Sequence, residues 1–142
     1  MSNHKSFLEN WYKRVWTDND TKAIDELFAP EPCTKGLECH NPIDLESFKG
    51  FHAAITNILT DIEISVDQIF ENGPWVSAMI TIRGFGKGNG KAVEVTSGSF
   101  ARIEGGKIRE GYDHLDFLSF WTQLGYLPED SLLKGLQGQK IA

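Results

Sequence analysis

The spacing of apolar residues changes once along this chain, from a helical period to a strand period, and this change constrains the fold most. Before Asp61, apolar residues recur at helical spacing in three segments, within residues 5–17, 17–30 and 46–60. After Asp61, apolar and polar residues alternate, beginning with "IEISVDQIF", in which Ile62, Ile64, Val66 and Phe70 are predicted to share one face. Three helices followed by a run of strands predict an α+β fold with helices on one face of an antiparallel sheet.

Glycine-rich turns divide the second half of the chain into four long strands. The turns are "NGP" at 72–74, "KGNG" at 87–90 and "EGG" at 104–106. The KGNG segment lacks the spacing and the Lys-Ser/Thr pair of a phosphate loop, so we interpret it as a hairpin turn. Strands longer than the usual five or six residues must twist and curl. A curled sheet with helices over its mouth predicts an internal cavity.

Charge and length exclude several classes of protein. The 142 residues carry a net charge of -6 and only 14 Lys and Arg residues, so a nucleic-acid partner is not expected. The N-terminal sequence has no continuous apolar stretch, so we expect no signal peptide, no membrane anchor and a cytoplasmic location. Cys33 and Cys39 are expected to be unpaired thiols. Without repeats or linkers, the chain is predicted to form a single domain, 1–142, with a core of about 5–128 and a tail of 129–142.

The segment "GKIREGYDHLDFLSFWTQLGYLP", residues 106–128, resembles the closing signature of SnoaL-like polyketide cyclases, in the nuclear transport factor 2-like superfamily. The resemblance extends over residues 5–128 and includes "AIDELFAP" and "FHAAITNILTDIEISVDQIFENG" upstream. The positions that match the signature are Gly106-Lys107-Ile108, Glu110, the aromatic Tyr112, Asp116 and Gln123-Leu124-Gly125.

This resemblance implies a cone in which a strongly curved, mainly antiparallel sheet and three N-terminal helices enclose an apolar pocket. It also implies a homodimer packed through the outer face of the sheet. In the cyclases, the aspartate of the signature is the acid/base group of an intramolecular aldol closure that uses no metal or organic cofactor. The matching residue here is Asp116. The resemblance also implies a histidine on the preceding strand, and the corresponding position in this sequence holds Arg102.

Strand alternation predicts which side chains accompany Asp116. In a regular strand, Tyr112, His114 and Asp116 share one face, and Asp113 points away. An apolar cavity would raise the pKa of Asp116 by desolvation and make it a usable general base, with Arg102 or His114 polarising the substrate. The alternative is structural, because Asp116 immediately precedes a helix and aspartate is a favoured N-cap residue. The two roles are compatible.

Other side chains are predicted to line the pocket, because a site for flat ligands needs aromatic surface and few polar groups. We expect no metal, since Asp113 and His114 point to opposite faces of a strand. The predicted pocket residues are Tyr12, Trp16, His52, Trp75, Met79, Arg83, Phe100, Tyr112 and Phe120.

Two functions are consistent with the sequence. The first is a cofactor-independent acid/base enzyme that acts on a small hydrophobic carbonyl compound, polycyclic ones included. Its reaction would be an aldol cyclisation or a related isomerisation or dehydration. The second is a non-catalytic module of the same fold that binds a small hydrophobic ligand or mediates dimerisation.

Overall fold

The structure is a computed structural model that describes residues 4–31 and 44–142. Cys33 and Cys39 lie outside the described residues, so the prediction for these thiols is not tested. None of the helices in the two described segments is both long enough and apolar enough to span a membrane.

Among the described residues, three helical segments precede the sheet, and aspartates begin two of them. Asp20 caps the second helix by accepting a hydrogen bond from the Lys22 amide at 3.2 Å, and Asp44 caps the third through the Ser47 amide at 2.7 Å. The first helix continues into a π-helical turn. The helices are α1 His4–Tyr12, with the π-helical turn Lys13–Thr17, α2 Thr21–Leu27, α3 Leu45–Ile58, α4 Phe117–Gln123 and α5 Ser131–Leu136.

Within residues 4–31 and 44–142, four strands form one antiparallel sheet in the order β1-β2-β3-β4, as expected for consecutive hairpins. At nine to fourteen residues the strands are long, and the sheet curves around the helices. The predicted α+β fold is therefore confirmed. The strands are β1 Leu59–Asn72, β2 Trp75–Gly86, β3 Ala92–Glu104 and β4 Lys107–Leu115.

Register shifts in the sheet change which side chains face the helices. In β1, a shift between Val66 and Gln68 moves the strand by one residue relative to β2. The predicted alternation grouped Phe70 with Ile64 and Val66, and this was wrong. Beyond the shift, Ile69 packs against the core and Phe70 points outward with 70% of its surface exposed.

The helices cover the inner face of the sheet through an aromatic cluster. The Trp11 ring lies 5.4 Å from the Phe48 ring, and Phe28 contacts both. The buried His52 ring donates from Nε2 to the Val15 carbonyl at 2.8 Å, which satisfies a backbone oxygen in the π-helical turn. This bond joins α3 to the π-helical turn and so holds these two helical segments together.

Candidate functional site

The inner face of the sheet and the helices enclose a cavity of about 370 Å³. Apolar side chains form nearly all of its surface, which is typical of pockets that bind small hydrophobic molecules. The predicted apolar pocket is thus confirmed. The helices contribute Trp11, Tyr12, Trp16, Ser47, Phe48, Phe51, Ile55, Phe117 and Phe120, and the strands contribute Leu59, Ile62, Ile64, Ile80, Ile82, Val95, Ser97, Asp113 and Leu115.

Aromatic rings continue from the cavity onto the outer surface. Phe51 of α3 and Phe117 of α4 line the cavity and contact each other edge to face, with ring centroids 6.3 Å apart. Phe117 stacks on Trp121 at 5.5 Å, and Trp121 stacks on Tyr126 at 5.8 Å. Phe51, Phe117 and Tyr126 are exposed. The mouth of the cavity therefore offers flat apolar surfaces to a ligand.

Asp113 is the one carboxylate among the described residues that line this cavity. Asp113 is an exposed residue by its accessible surface and lines the cavity, yet protein atoms surround its carboxyl group closely. Desolvation raises the pKa of Asp113 above the ordinary carboxyl range. A hydrogen bond with Ser99 and the nearby His114 oppose this rise. The result is a carboxylate with increased basicity in an apolar space.

A bulge in β4 explains why Asp113 faces the cavity. Ile108 pairs with Ile103, but Glu110 pairs with Arg102, so Arg109 is an extra residue in the strand. One inserted residue reverses the alternation of every side chain that follows. The prediction from the sequence that Asp113 faces away from the cavity was therefore wrong, because it assumed a regular strand.

Two hydroxyl groups lie beside Asp113. Ser99 is directly opposite Asp113 in the pairing of β3 with β4 and is buried. Tyr12, the last residue of α1, is buried and interacts with both Ser99 and Asp113. Burial, and then the charge of Asp113, raise the pKa of Tyr12, whereas the hydrogen bond with Ser99 lowers it. The phenol consequently remains protonated and available as a hydrogen-bond donor.

Asp116 is a helix N-cap, which was the structural alternative to a catalytic role in the sequence analysis. Its carboxylate accepts a hydrogen bond from the Ser119 amide at 3.0 Å and caps α4. The residue is exposed and is not among the residues that line the cavity. The expected position of Asp116 inside a dry cavity was wrong, because the strand ends at Leu115 and the chain turns into the helix.

Arg102 and His114, the predicted partners of Asp116, do not face the cavity. Both lie on the outer face of the sheet. Arg102 alternates with the inward residues Ala101 and Ile103 of β3, and the bulge at Arg109 places the even-numbered residues of β4 from Glu110 onward on the outer face. Arg102 donates to Glu110 at 3.2 Å and to Glu31 at 3.1 Å. It also pairs with the Glu104 carboxylate. This ion-paired guanidinium tethers the chain after α2 to the sheet.

The structure brings only part of the predicted wall together. Tyr12, Trp16 and Phe120 line the cavity. His52 does not, because its ring is hydrogen-bonded in the core. The other predicted wall residues lie on the outer face of the sheet. The inward-facing positions are the residues next to them in sequence. These outward residues are Trp75, Met79, Arg83 and Phe100, together with Tyr112, which donates to Glu110.

Sequence reasoning missed Asp113, and Ser97 and Ser99 beside it. The signal was present, because Val93, Val95, Ser97 and Ser99 alternate with polar or exposed residues in β3. Small polar residues on an otherwise apolar face indicate where a sheet lines a polar part of a pocket. Within residues 4–31 and 44–142, no group of three or more His, Cys, Asp or Glu side chains is arranged to hold a metal.

The curved four-stranded sheet that closes with helices around an apolar cavity has the nuclear transport factor 2-like fold. AclR from Streptomyces galilaeus has the same fold, with a TM-score of 0.73 and 20% identity, over 90% of this chain and 99% of AclR. The chain belongs to the SnoaL-like polyketide cyclase family, whose sequence model matches residues 7–124. The family resemblance noted in the closing segment is therefore confirmed.

Two curated relatives are aklanonic acid methyl ester cyclases. DauD from Streptomyces sp. (strain C5) is 33% identical over 122 residues, which cover 78% of this chain and 75% of DauD. DnrD from Streptomyces peucetius is also 33% identical over 122 residues, covering 78% of this chain and 83% of DnrD. These relatives support an enzyme of the cyclase and isomerase type rather than a non-catalytic module.

Proposed function

We propose that this enzyme catalyses an intramolecular aldol cyclisation of a flat, apolar carbonyl compound, with Asp113 as the general base. The observation that carries the proposal is the single carboxylate that faces the apolar cavity in the described part of the chain. Desolvation holds the pKa of Asp113 above that of an ordinary carboxyl group, which favours proton abstraction from carbon. The two relatives named for cyclising aklanonic acid methyl ester support a substrate of the same class.

The proposed reaction needs only groups that the chain supplies. The Asp113 carboxylate removes a proton from a carbon next to a carbonyl group, and the substrate becomes an enolate. The enolate carbon then forms a bond to a second carbonyl carbon of the same molecule, and that carbonyl oxygen becomes an alkoxide. Protonated Asp113 returns its proton to the alkoxide. No atom or electron is gained or lost, so the product is an isomer of the substrate.

Tyr12 is the proposed stabiliser of the negative oxygen in this reaction. Its raised pKa keeps the phenol protonated, and it lines the same cavity as Asp113. A donor fixed in an apolar site stabilises a developing oxyanion more strongly than water does. Tyr12 replaces Arg102 and His114, which lie on the outer face, in the role predicted from the sequence.

The test is the conversion of aklanonic acid methyl ester by the full-length chain and by Asp113→Asn, followed by chromatography. We expect turnover to fall at least about a hundredfold in Asp113→Asn, the usual contribution of a general base. Ligand binding should persist, because the amide is close in shape. Asp116→Asn is the matched control and should retain activity. Wild-type rates in Asp113→Asn would refute the base, and a wild-type chain that leaves the ester unchanged would refute this substrate.

The outer face of the sheet supports a homodimer as a further part of the proposal. Phe70 and Phe100 flank Ser77 in adjacent strands, and Met79 lies close by on the same face. These three apolar side chains are 70%, 52% and 48% exposed, respectively. Exposed apolar patches of this kind favour association. Phe100→Glu should shift the sedimentation coefficient to that of a monomer. A wild-type protein that already sediments as a monomer would contradict the dimer.

The cytoplasmic location stays a prediction.

A further inference from the structure

A second, much smaller space borders Asp113 and shares part of its lining with the main cavity. Its volume is about 30 Å³. Trp11, Tyr12, Phe48 and Asp113 border both spaces. We call the smaller one the rear chamber. Leu8, Phe28, Ser99, Ala101, Ile108 and Gly111 complete its lining.

The rear chamber lies inside the protein. All of its lining residues except Gly111 and Asp113 are buried. A cavity needs roughly 10–15 Å³ of probe-occupied volume to hold one water molecule. A space of about 30 Å³ therefore accommodates a water molecule but no organic group.

The polar groups of the rear chamber are suited to water. The Tyr12 phenol, the Ser99 hydroxyl and the Asp113 carboxylate all line it, and buried waters usually have two to four such partners. Apolar cavities of this size remain dry, whereas a chamber with a carboxylate in its wall gains solvation for that charge. Tyr12 and Asp113 each interact with Ser99, so the three polar side chains are neighbours in the wall of the chamber.

Two small residues produce the chamber. Gly111 and Ala101 are paired across β4 and β3, two pairs along the ladder from Asp113 and Ser99. A Cβ atom at Gly111 would meet only the Ile108 side chain, at 3.8 Å, which is an ordinary contact. The backbone of Gly111 adopts no positive φ, so the absence of a side chain is not required for its conformation. The glycine therefore leaves space open rather than relieving strain.

We propose that the rear chamber binds one water molecule, held by Tyr12, Ser99 and Asp113, and that Gly111 is a positioning residue that keeps this site open. The water solvates one side of the carboxylate and leaves the other side for the substrate. It limits the desolvation that raises the pKa of Asp113, and so sets the pH at which the base becomes available. The role in turnover rests on the proposed function of Asp113, whereas the water site itself does not.

The first experiment measures the water and the carboxyl group in the ligand-free, full-length protein. Gly111→Ala places a methyl group in the chamber. Gly98→Ala is the matched control, because a Cβ atom there meets nothing within 4 Å. Water-proton relaxation dispersion counts long-lived internal waters, and carbon-13 NMR follows the titration of Asp113. We expect Gly111→Ala to lose one internal water and to titrate Asp113 at higher pH, with Gly98→Ala unchanged.

A second variant keeps the test decisive if Gly111→Ala does not fold. Ala101→Val fills the same chamber from the opposite strand and should give the same two changes. A folded filling variant that keeps the water or leaves the Asp113 titration unchanged would overturn the proposal. If neither variant folds, the wild-type protein decides, because the absence of any long-lived internal water would also overturn it. These readouts need no substrate, so their failure is distinct from failure of the cyclisation proposal.

Discussion

Replacing Asp116 separates the role that the structure gives this residue from the role that its place in the family signature suggests. The carboxylate caps α4 by accepting a hydrogen bond from the Ser119 amide at 3.0 Å. That helix is only seven residues long and carries Phe117 and Phe120, which line the cavity. Asp116→Ala removes the cap and leaves backbone amides in the first turn without this acceptor.

The expected cost follows from this single capping interaction. Substituting an aspartate N-cap with alanine destabilises a protein by about 1 kcal/mol. For a chain of this length, the loss corresponds to a fall in Tm of about 4 °C. Asp116→Asn retains an N-cap of similar quality, so its stability should be close to that of the wild type. Neither substitution changes the carboxylate that faces the cavity.

The assay pairs thermal unfolding, followed by circular dichroism, with turnover of aklanonic acid methyl ester. Asp116→Ala should lose stability and keep its kcat, measured at a temperature well below the transition. Asp116→Asn should keep both. The reasoning would be refuted if Asp116→Asn folded normally but lost turnover about as completely as Asp113→Asn, because the reacting carboxylate would then be the one outside the cavity.

Three further predictions concern Asp113, His52 and Arg102. Because burial raises the pKa of Asp113, its contribution to stability is greatest below the unfolded pKa and is lost as pH rises through the folded one. Asp113→Asn should therefore resist urea better than the wild type at neutral pH, and this advantage should shrink in acid. His52→Leu leaves the Val15 carbonyl without its donor and should cost about 1–3 kcal/mol in urea unfolding. Arg102→Met leaves Glu110 buried without its guanidinium and should cost about 2 kcal/mol, with kcat/KM unchanged.

The order of helices and strands could be predicted because the sequence encodes it locally. Helical spacing before Asp61 and alternation after it give the element types, and the turns between the strands carry Gly or Asn. The cap at Asp116 is equally local, since it needs only an aspartate followed by a helix. These features depend on neighbours within a few residues.

The orientation of the site could not be predicted in the same way, because it depends on how two strands pair. The turn at Gly105 and Gly106 sets Glu104 opposite Lys107, whereas Arg102 pairs with Glu110. These two pairings leave one residue too many in β4, and Arg109 forms the bulge. Nothing in the residues from 107 to 115 alone indicates this insertion. Every face assigned beyond it was therefore reversed.

The positions of the tryptophans give the protein an internal optical reporter. Two of its four tryptophans, Trp11 and Trp16, stand in the wall of the cavity. A conjugated ring system bound there would lie close enough to accept excitation energy from both indoles. Trp121 stacks on Phe117 at the mouth of the cavity, and Trp75 lies on the outer face of the sheet, so neither of these two indoles lines the cavity. Entry of a coloured ligand should thus dim the native fluorescence without any label, whether or not chemistry follows.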